Sequence, residues 1–193
     1  MASARSAGHA GGNTAQRYAI FLRGVNVGGI TVRMADLREL LADLPVSDVA
    51  TVLASGNVTC SSALEASDLK DRVEEALRRR FGYMAWVIVV GHPDLVSIAA
   101  SVPRPPDHDV ALAVHTYITL FTGRPELESF LDEAHGLTEY PTVLSGATAI
   151  AWVSPKGQST DVPLAKLLAR ARYAATSTTR NINTVDKVLR LLA

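Results

Sequence analysis

The sequence predicts an α+β fold made of two ferredoxin-like βαββαβ units in tandem, each an antiparallel sheet covered by helices. Apolar segments with strand and helix periodicity follow the order β, α, β, β, α, β in each half of the chain. A proline-rich polar stretch at 102–109 separates the halves. The sequence of the first predicted hairpin, TVLASGNVT at 51–59, is similar to that of the second, TVLSGATA at 142–149. We interpret the halves as a duplication.

The first unit opens with an apolar strand and continues with a helix whose apolar residues recur at helical spacing. Gly82 is expected to end the second helix, because glycine readily adopts the left-handed conformation found after helices. The predicted elements are a strand at 18–22, a helix from Met34, strands at 49–54 and 58–61, a helix opened by Ser67 and Asp68, a strand at 85–90, and a short helix after Gly91.

The second unit repeats this order. Asp161 is expected to cap one helix that carries Leu164, Leu167, Leu168 and Ala171. The other predicted elements are a strand at 115–122, a helix from Pro125, hairpin strands at 142–145 and 147–153, a strand at 176–180, and a final helix capped by Asn183.

The proline-rich stretch sets the predicted domain boundaries. They are a disordered tail at 1–16, a first unit with an extra helix at 17–102, a linker at 103–112, and a second unit with a C-terminal helix at 113–193.

Composition excludes several classes of protein. With 19 basic and 19 acidic residues there is no global field for a polyanion, so nucleic-acid binding is not favoured. The one cysteine, Cys60, rules out an internal disulfide and a cysteine-type zinc site, and it predicts the cytoplasm. The chain lacks eighteen consecutive apolar residues, so no membrane span is predicted. No metal site or cofactor is expected, since no ligand motif occurs.

The stretch 22–29, LRGVNVGG, places three glycines, Arg23 and Asn26 directly after the first strand. It fails the dinucleotide pattern GxGxxG, and it resembles a phosphate loop only in spacing, because Ile30 stands where the lysine belongs. Gly28 and Gly29 serve either the geometry of a tight turn or the close approach of a ligand.

Three motifs in order resemble the bacterial "domain of unknown function 1697" family. They are LRGVNVGG followed by MADLREL at 34–40, LASGNV at 53–58, and TTRNINTV at 178–185. The resemblance runs from about Tyr18 to the C-terminus and implies a fold, since the family's function is not established. In that family the last motif usually reads RNWNT, and here Ile182 takes the place of the tryptophan.

The topology predicts where a polar site lies. In a βαββαβ unit the first and third strands are central neighbours, so the first two motifs should meet. The third motif lies at a strand end and a helix N-terminus, where an anion is favoured and Arg180 adds a forked cation. The candidate ligand-binding residues are Arg23, Asn26, Gly28, Gly29, Ser55, Asn57, Arg180, Asn181 and Asn183. The asparagines are equally typical of turns and helix caps.

Two functional hypotheses follow, and no catalytic motif decides whether a reaction is involved. The first is binding of a small phosphate- or carboxylate-bearing ligand. The second is a non-catalytic interaction module or homodimeric scaffold. RNA binding ranks third. The predicted central strands offer Tyr18, Phe21, Tyr117 and Phe121, but Tyr18 and Phe21 fall on opposite faces of one strand and form no stacking platform.

Overall fold

The computed structural model describes residues 14–23, 32–82, 86–103, 113–146 and 148–193. The first unit holds strands β1 (Gln16–Arg23), β2 (Ser47–Val52), β3 (Asn57–Ser62) and β4 (Trp86–Gly91), with helices α1 (Met34–Ala42), α2 (Ala66–Phe81) and α3 (His92–Ala100). The second holds strands β5 (Val114–Phe121), β6 (Thr142–Val143), β7 (Ala149–Pro155) and β8 (Ser177–Asn181), with helices α4 (Arg124–Ala134), α5 (Pro163–Leu168), α6 (Ala171–Ala174) and α7 (Ile182–Leu192).

The strands form two four-stranded antiparallel sheets, in the orders β2-β3-β1-β4 and β6-β7-β5-β8. Each order places the first and third strands of a βαββαβ unit at the centre, as predicted. The predicted tandem α+β fold is therefore confirmed.

Strand β1 is buried on both faces, and one of these faces packs against the second unit. Because side chains alternate along a strand, Ile20 and Leu22 pack into the core beneath α1 and α2. Phe21 points the other way, into a middle core that also contains Leu120 of β5 and Val185 of α7. A third core lies between the outer face of the second sheet and helices α4 to α6. The units therefore share one hydrophobic core.

Helix α7 of the second unit packs on β1, β2 and β3 of the first, beside α3. Arg17, at the start of β1, holds the far end of α7 by donating from Nη2 to the carbonyl oxygen of Leu191 at 2.6 Å and from Nη1 to that of Ala193 at 3.2 Å. These bonds satisfy carbonyls that a helix C-terminus leaves without intrahelical partners.

Several predicted boundaries need correction. Strand β1 begins at Gln16, inside the predicted tail, and α2 begins at Ala66 with Glu65 as its N-cap. The helix predicted from Asp161 is two short helices, because Arg170 is extended (φ −60°, ψ 143°) and interrupts it. The strand predicted at 142–145 spans only two residues. Apart from Pro103, the predicted linker lies outside the described residues.

Two described glycines of the first unit have left-handed backbone. Gly82 ends α2 with φ 69°, as predicted, and its N–H donates to the carbonyl oxygen of Arg78. Gly56 has φ 72° in the turn between β2 and β3. A Cβ disfavours this conformation, so the turn depends on glycine.

Two negative findings concern the described residues alone. No helix among them combines the length and apolar character needed to cross a membrane. No cluster of three or more histidine, cysteine, aspartate or glutamate side chains within them is arranged to hold a metal ion.

Candidate functional site

The end of β1 lies beside the turn between β2 and β3, as the topology predicted. Phe21 pairs with Asn57, and the Leu22 N–H donates to the Gly56 carbonyl oxygen at 2.8 Å. The first and second sequence motifs therefore meet at one end of the two central strands of the first sheet.

The side chain of Arg180 reaches this place from the second unit. It projects from β8 into the interface and is 9% exposed. Its Nη2 donates to the carbonyl oxygens of Leu22 at 2.7 Å and Ser55 at 3.1 Å, and its Nε donates to Asn57 Oδ1. One guanidinium thus joins all three sequence motifs.

The remaining donors of Arg180 bond within its own strand. Nη1 donates to Thr178 Oγ1 at 2.8 Å and to the Thr179 carbonyl oxygen at 2.9 Å. A guanidinium has five N–H groups, and each now has a protein acceptor. The Arg180 side chain therefore acts as a clamp between the units, a role different from the anion donor that the sequence suggested.

Asn57 completes the clamp from the first unit. It is fully buried, and its Nδ2 donates to the Val52 carbonyl oxygen at 2.7 Å and to Ser55 Oγ at 3.0 Å. These two bonds fix the amide so that its oxygen faces Arg180. Asn57 and Ser55 therefore shape the β2–β3 turn around the arginine.

The Arg180 guanidinium is a buried cation. Burial lowers its pKa to about 10, and repulsion from Arg23 acts in the same direction. The group stays charged at neutral pH. Its Cζ lies 5.7 Å from the centroid of the Phe21 ring, whose face offers a weak favourable contact.

Arg23 differs from Arg180 in the partners that the described residues offer its guanidinium. It ends β1 half-buried, and burial lowers its pKa. Among the described residues, no acceptor bonds its guanidinium and no carboxylate pairs with it, whereas arginines such as Arg33 and Arg172 pair with Asp36 and Glu133. Arg23 is thus a partly desolvated cation without a counter-charge in the described part of the chain.

A cavity of about 320 Å³ opens beside Arg23. The aromatic part of its lining is Tyr117 stacked on Trp152, with ring centroids 4.6 Å apart and planes at 23°. The other lining residues are four with hydroxyl groups and three apolar ones: Ser159, Thr160, Ser177, Thr179, Ala165, Leu168 and Ala169. A cation, hydroxyl groups and an aromatic ring suit a small polar ligand with an acidic group.

The other predicted site residues fall into two groups. Asn26, Gly28 and Gly29 lie outside the described residues. Asn181 is the N-cap of α7, since its side chain accepts from the Asn183 N–H at 2.9 Å, so the cap is Asn181 and not Asn183. The structure therefore brings Arg23, Ser55, Asn57 and Arg180 together and leaves both of these asparagines at the helix start.

Sequence reasoning missed Trp152 and Thr179, and it considered Tyr117 only as a central-strand aromatic for RNA binding. Thr179 stands inside the third motif, next to Arg180, and that position was the available signal. Tyr117 and Trp152 face each other across β5 and β7, a pairing that depends on register. The central-strand aromatics Tyr18, Phe21 and Phe121 are buried, which leaves them unable to stack on RNA bases.

Comparison with known proteins identifies the family. The family model described as "Protein of unknown function (DUF1697)" matches residues 15–144, about two thirds of the chain. The chain belongs to this family. The matched region of the DUF1697 family holds the first unit, with Arg23 and Asn57, and continues through β5 and α4; Arg180 lies beyond it.

The fold is also found in a solved structure. A conserved bacterial protein from Streptococcus pneumoniae is similar over 93% of this chain and 99% of its own, with 22% identity and a TM-score of 0.76. This likeness supports the tandem two-unit fold. A search of the curated proteins found no match.

Proposed function

We propose that this protein binds a small ligand with a phosphate or carboxylate group in the cavity beside Arg23. The observation that carries the proposal is the pair of neighbouring guanidinium groups of Arg23 and Arg180, neither of which has a carboxylate partner among the described residues. Two like charges in a partly desolvated place repel each other, and an anion between or beside them relieves that cost.

The two arginines have different roles in this proposal. The donors of Arg180 are used within the protein, so this residue contributes positive charge and holds the three motifs together. Arg23 contributes the donors, because a guanidinium presents a planar fork that matches a carboxylate or phosphate. A bond from a partly buried guanidinium to an anion is stronger than one in open water, since the local dielectric is lower.

We expect anions to stabilise the parent protein against heat and Arg23→Ala to remove the effect. A ligand that binds only the folded state adds about 2.7 kcal/mol at a hundredfold excess over its Kd. Differential scanning fluorimetry with phosphate, sulfate and citrate, at constant ionic strength, measures the shift in Tm. Arg190→Ala is the matched control, because it removes an exposed arginine of α7 and should leave the shift unchanged.

Two outcomes contradict the proposal. One is a parent protein whose Tm responds equally to chloride and to all three oxyanions. The other is an anion-dependent shift that survives in Arg23→Ala.

A second candidate function is a partner-binding or homodimeric scaffold, and the β6 edge favours it. Tyr140, Val143 and Val153 cluster around this two-residue edge strand and are 48%, 44% and 45% exposed. Exposed apolar side chains at a sheet edge are typical of pairing surfaces. Light scattering after size exclusion is expected to show a dimer that Val143→Lys dissociates, and a parent that is monomeric at high concentration contradicts this candidate.

We infer a cytoplasmic location from the cysteine content. Cys60 is buried, and burial raises the pKa of its thiol to about 11, which keeps it protonated and unreactive. A chain with one cysteine, present as an unreactive thiol, is typical of a reducing compartment.

A further inference from the structure

We propose that Thr179 is a ligand-binding residue whose hydroxyl proton is directed into the Arg23 cavity by a hydrogen-bond relay from Trp152 through Thr119. The inference rests on the proposed anion binding at Arg23 and names a second donor for the same ligand. Thr179 lies on β8 and lines the same cavity as Arg23.

The relay begins at Trp152. Its indole Nε1 donates to Thr119 Oγ1 at 2.9 Å, and this direction is fixed because the indole N–H is a donor only. The Thr119 hydroxyl oxygen therefore already accepts one hydrogen bond and still carries a single proton.

The next step follows from burial. Thr119 is fully buried, and within the described part of the chain no acceptor other than Thr179 Oγ1, at 2.8 Å, bonds its hydroxyl. A buried hydroxyl that donates to nothing is costly, so the Thr119 proton points to Thr179. If Thr179 donated to Thr119 instead, Thr119 Oγ1 would accept two hydrogen bonds and its own proton would have no acceptor among the described residues.

Among the residues that the structure describes, the relay leaves the Thr179 proton without an acceptor. Thr179 is half-buried at the cavity, so its hydroxyl has room to donate to a bound group. Ser177, the other hydroxyl that β8 presents to the cavity, donates instead to the Tyr173 carbonyl oxygen at 2.8 Å. Of these two hydroxyls, Thr179 is the donor and Ser177 is not.

This pattern restricts the ligand class. Arg23 is a donor at every accessible pH, and the relay makes Thr179 a donor as well. Arg23 requires an acceptor oxygen on the ligand, and the Thr179 proton adds a second donor beside it, which suits a deprotonated phosphate or carboxylate and disfavours an ammonium group next to the guanidinium. The pairing of one guanidinium with one hydroxyl also favours an anion with at least two oxygens.

Isothermal titration with inorganic phosphate tests the inference on the full chain. Thr179→Val replaces the hydroxyl with a methyl group of similar size, and we expect a loss of about tenfold in affinity, since hydrogen bonds to charged groups are the stronger ones. Thr179→Ser restores the hydroxyl and is expected to bind within about twofold of the parent. Thr176→Ala is the matched control and should bind phosphate as the parent does, because its hydroxyl lies outside the cavity lining and donates to the Arg172 carbonyl oxygen.

The positioning role of Thr119 has its own pair of variants. Thr119→Val removes the acceptor of the Trp152 N–H and releases the Thr179 hydroxyl, so phosphate affinity is expected to fall by about threefold to tenfold. Thr119→Ser keeps the relay and should retain the affinity. A purely structural role predicts loss of stability in both variants without this split in affinity.

The outcomes separate this inference from the proposed function. Phosphate binding that is weakened by Arg23→Ala but unchanged by Thr179→Val overturns the relay and leaves anion binding in place. Binding that is lost equally in Thr179→Val and Thr179→Ser also overturns it. A parent protein that binds neither phosphate nor citrate overturns the proposed function and the relay together.

Discussion

Arg180→Ala is expected to lower the free energy of unfolding by about 3 kcal/mol, since it removes the Arg180 donors from two buried acceptors and one partly buried acceptor. These are the carbonyl oxygens of Leu22 and Ser55 and the amide oxygen of Asn57, all in the other unit. The substitution also leaves a space where the side chain crossed the interface. Urea unfolding followed by circular dichroism measures the change.

Two further variants test whether the hydrogen bonds of Arg180 cause the loss of stability. Arg180→Lys keeps the charge but offers three donors from one nitrogen, so we expect an intermediate loss. Arg190→Ala removes an exposed arginine of the same region and should change stability by less than about 0.5 kcal/mol. If Arg180→Ala unfolds at the parent's urea concentration, the clamp contributes nothing and the interface is held by other contacts.

Phe21→Ala is expected to cost about 4 kcal/mol, because it empties a fully buried aromatic position in the core that the units share. Phe21 packs among side chains from both units and lies beneath the Arg180 guanidinium. Thermal or urea unfolding measures the loss, and Phe21→Leu, which keeps much of the volume, should cost about 1 kcal/mol.

A double-mutant cycle links these two predictions. Phe21 and Arg180 are in contact, so their effects are expected to depart from additivity by at least about 0.5 kcal/mol. Simple additivity, or a loss below about 1 kcal/mol for Phe21→Ala, contradicts a shared core and indicates that the units unfold independently.

Much of the fold could be predicted from local sequence patterns. The alternation along β1 already separated Tyr18 from Phe21, and the structure places them in different cores. The βαββαβ order was enough to predict that the end of β1 meets the β2–β3 turn. Both results follow from strand periodicity and topology, which a sequence records directly. The interpretation of the halves as a duplication stays a prediction.

The direction of the Arg180 side chain could not be predicted from the sequence. Alternation along β8 puts Thr178 and Arg180 on one face and Thr179 on the other, but it does not tell which face meets the first unit. That depends on how two sheets pack, a long-range property. The same limit hid the cavity, since its lining joins Arg23 of one unit to Tyr117 and Thr179 of the other.

The helix caps show a more local limit. Asn181 and Asn183 are both good N-cap residues and stand two positions apart. The cap is the one whose backbone is still extended when the strand ends, and Asn181 has φ −65° and ψ 142°. The choice was therefore made by the length of β8, which its pairing with β5 sets.

The measurement that tests the central claim most directly is diffraction at the selenium absorption edge from crystals soaked in selenate, an oxyanion that stands in for phosphate or sulfate. We predict an anomalous peak in the cavity within hydrogen-bonding distance of the Arg23 guanidinium, with Arg180 still bonded to Leu22 and Asn57. A peak bonded to Arg180 in place of these protein acceptors, or a cavity without selenate at a concentration that raises the Tm, contradicts the assignment of Arg23 as the ligand-binding cation.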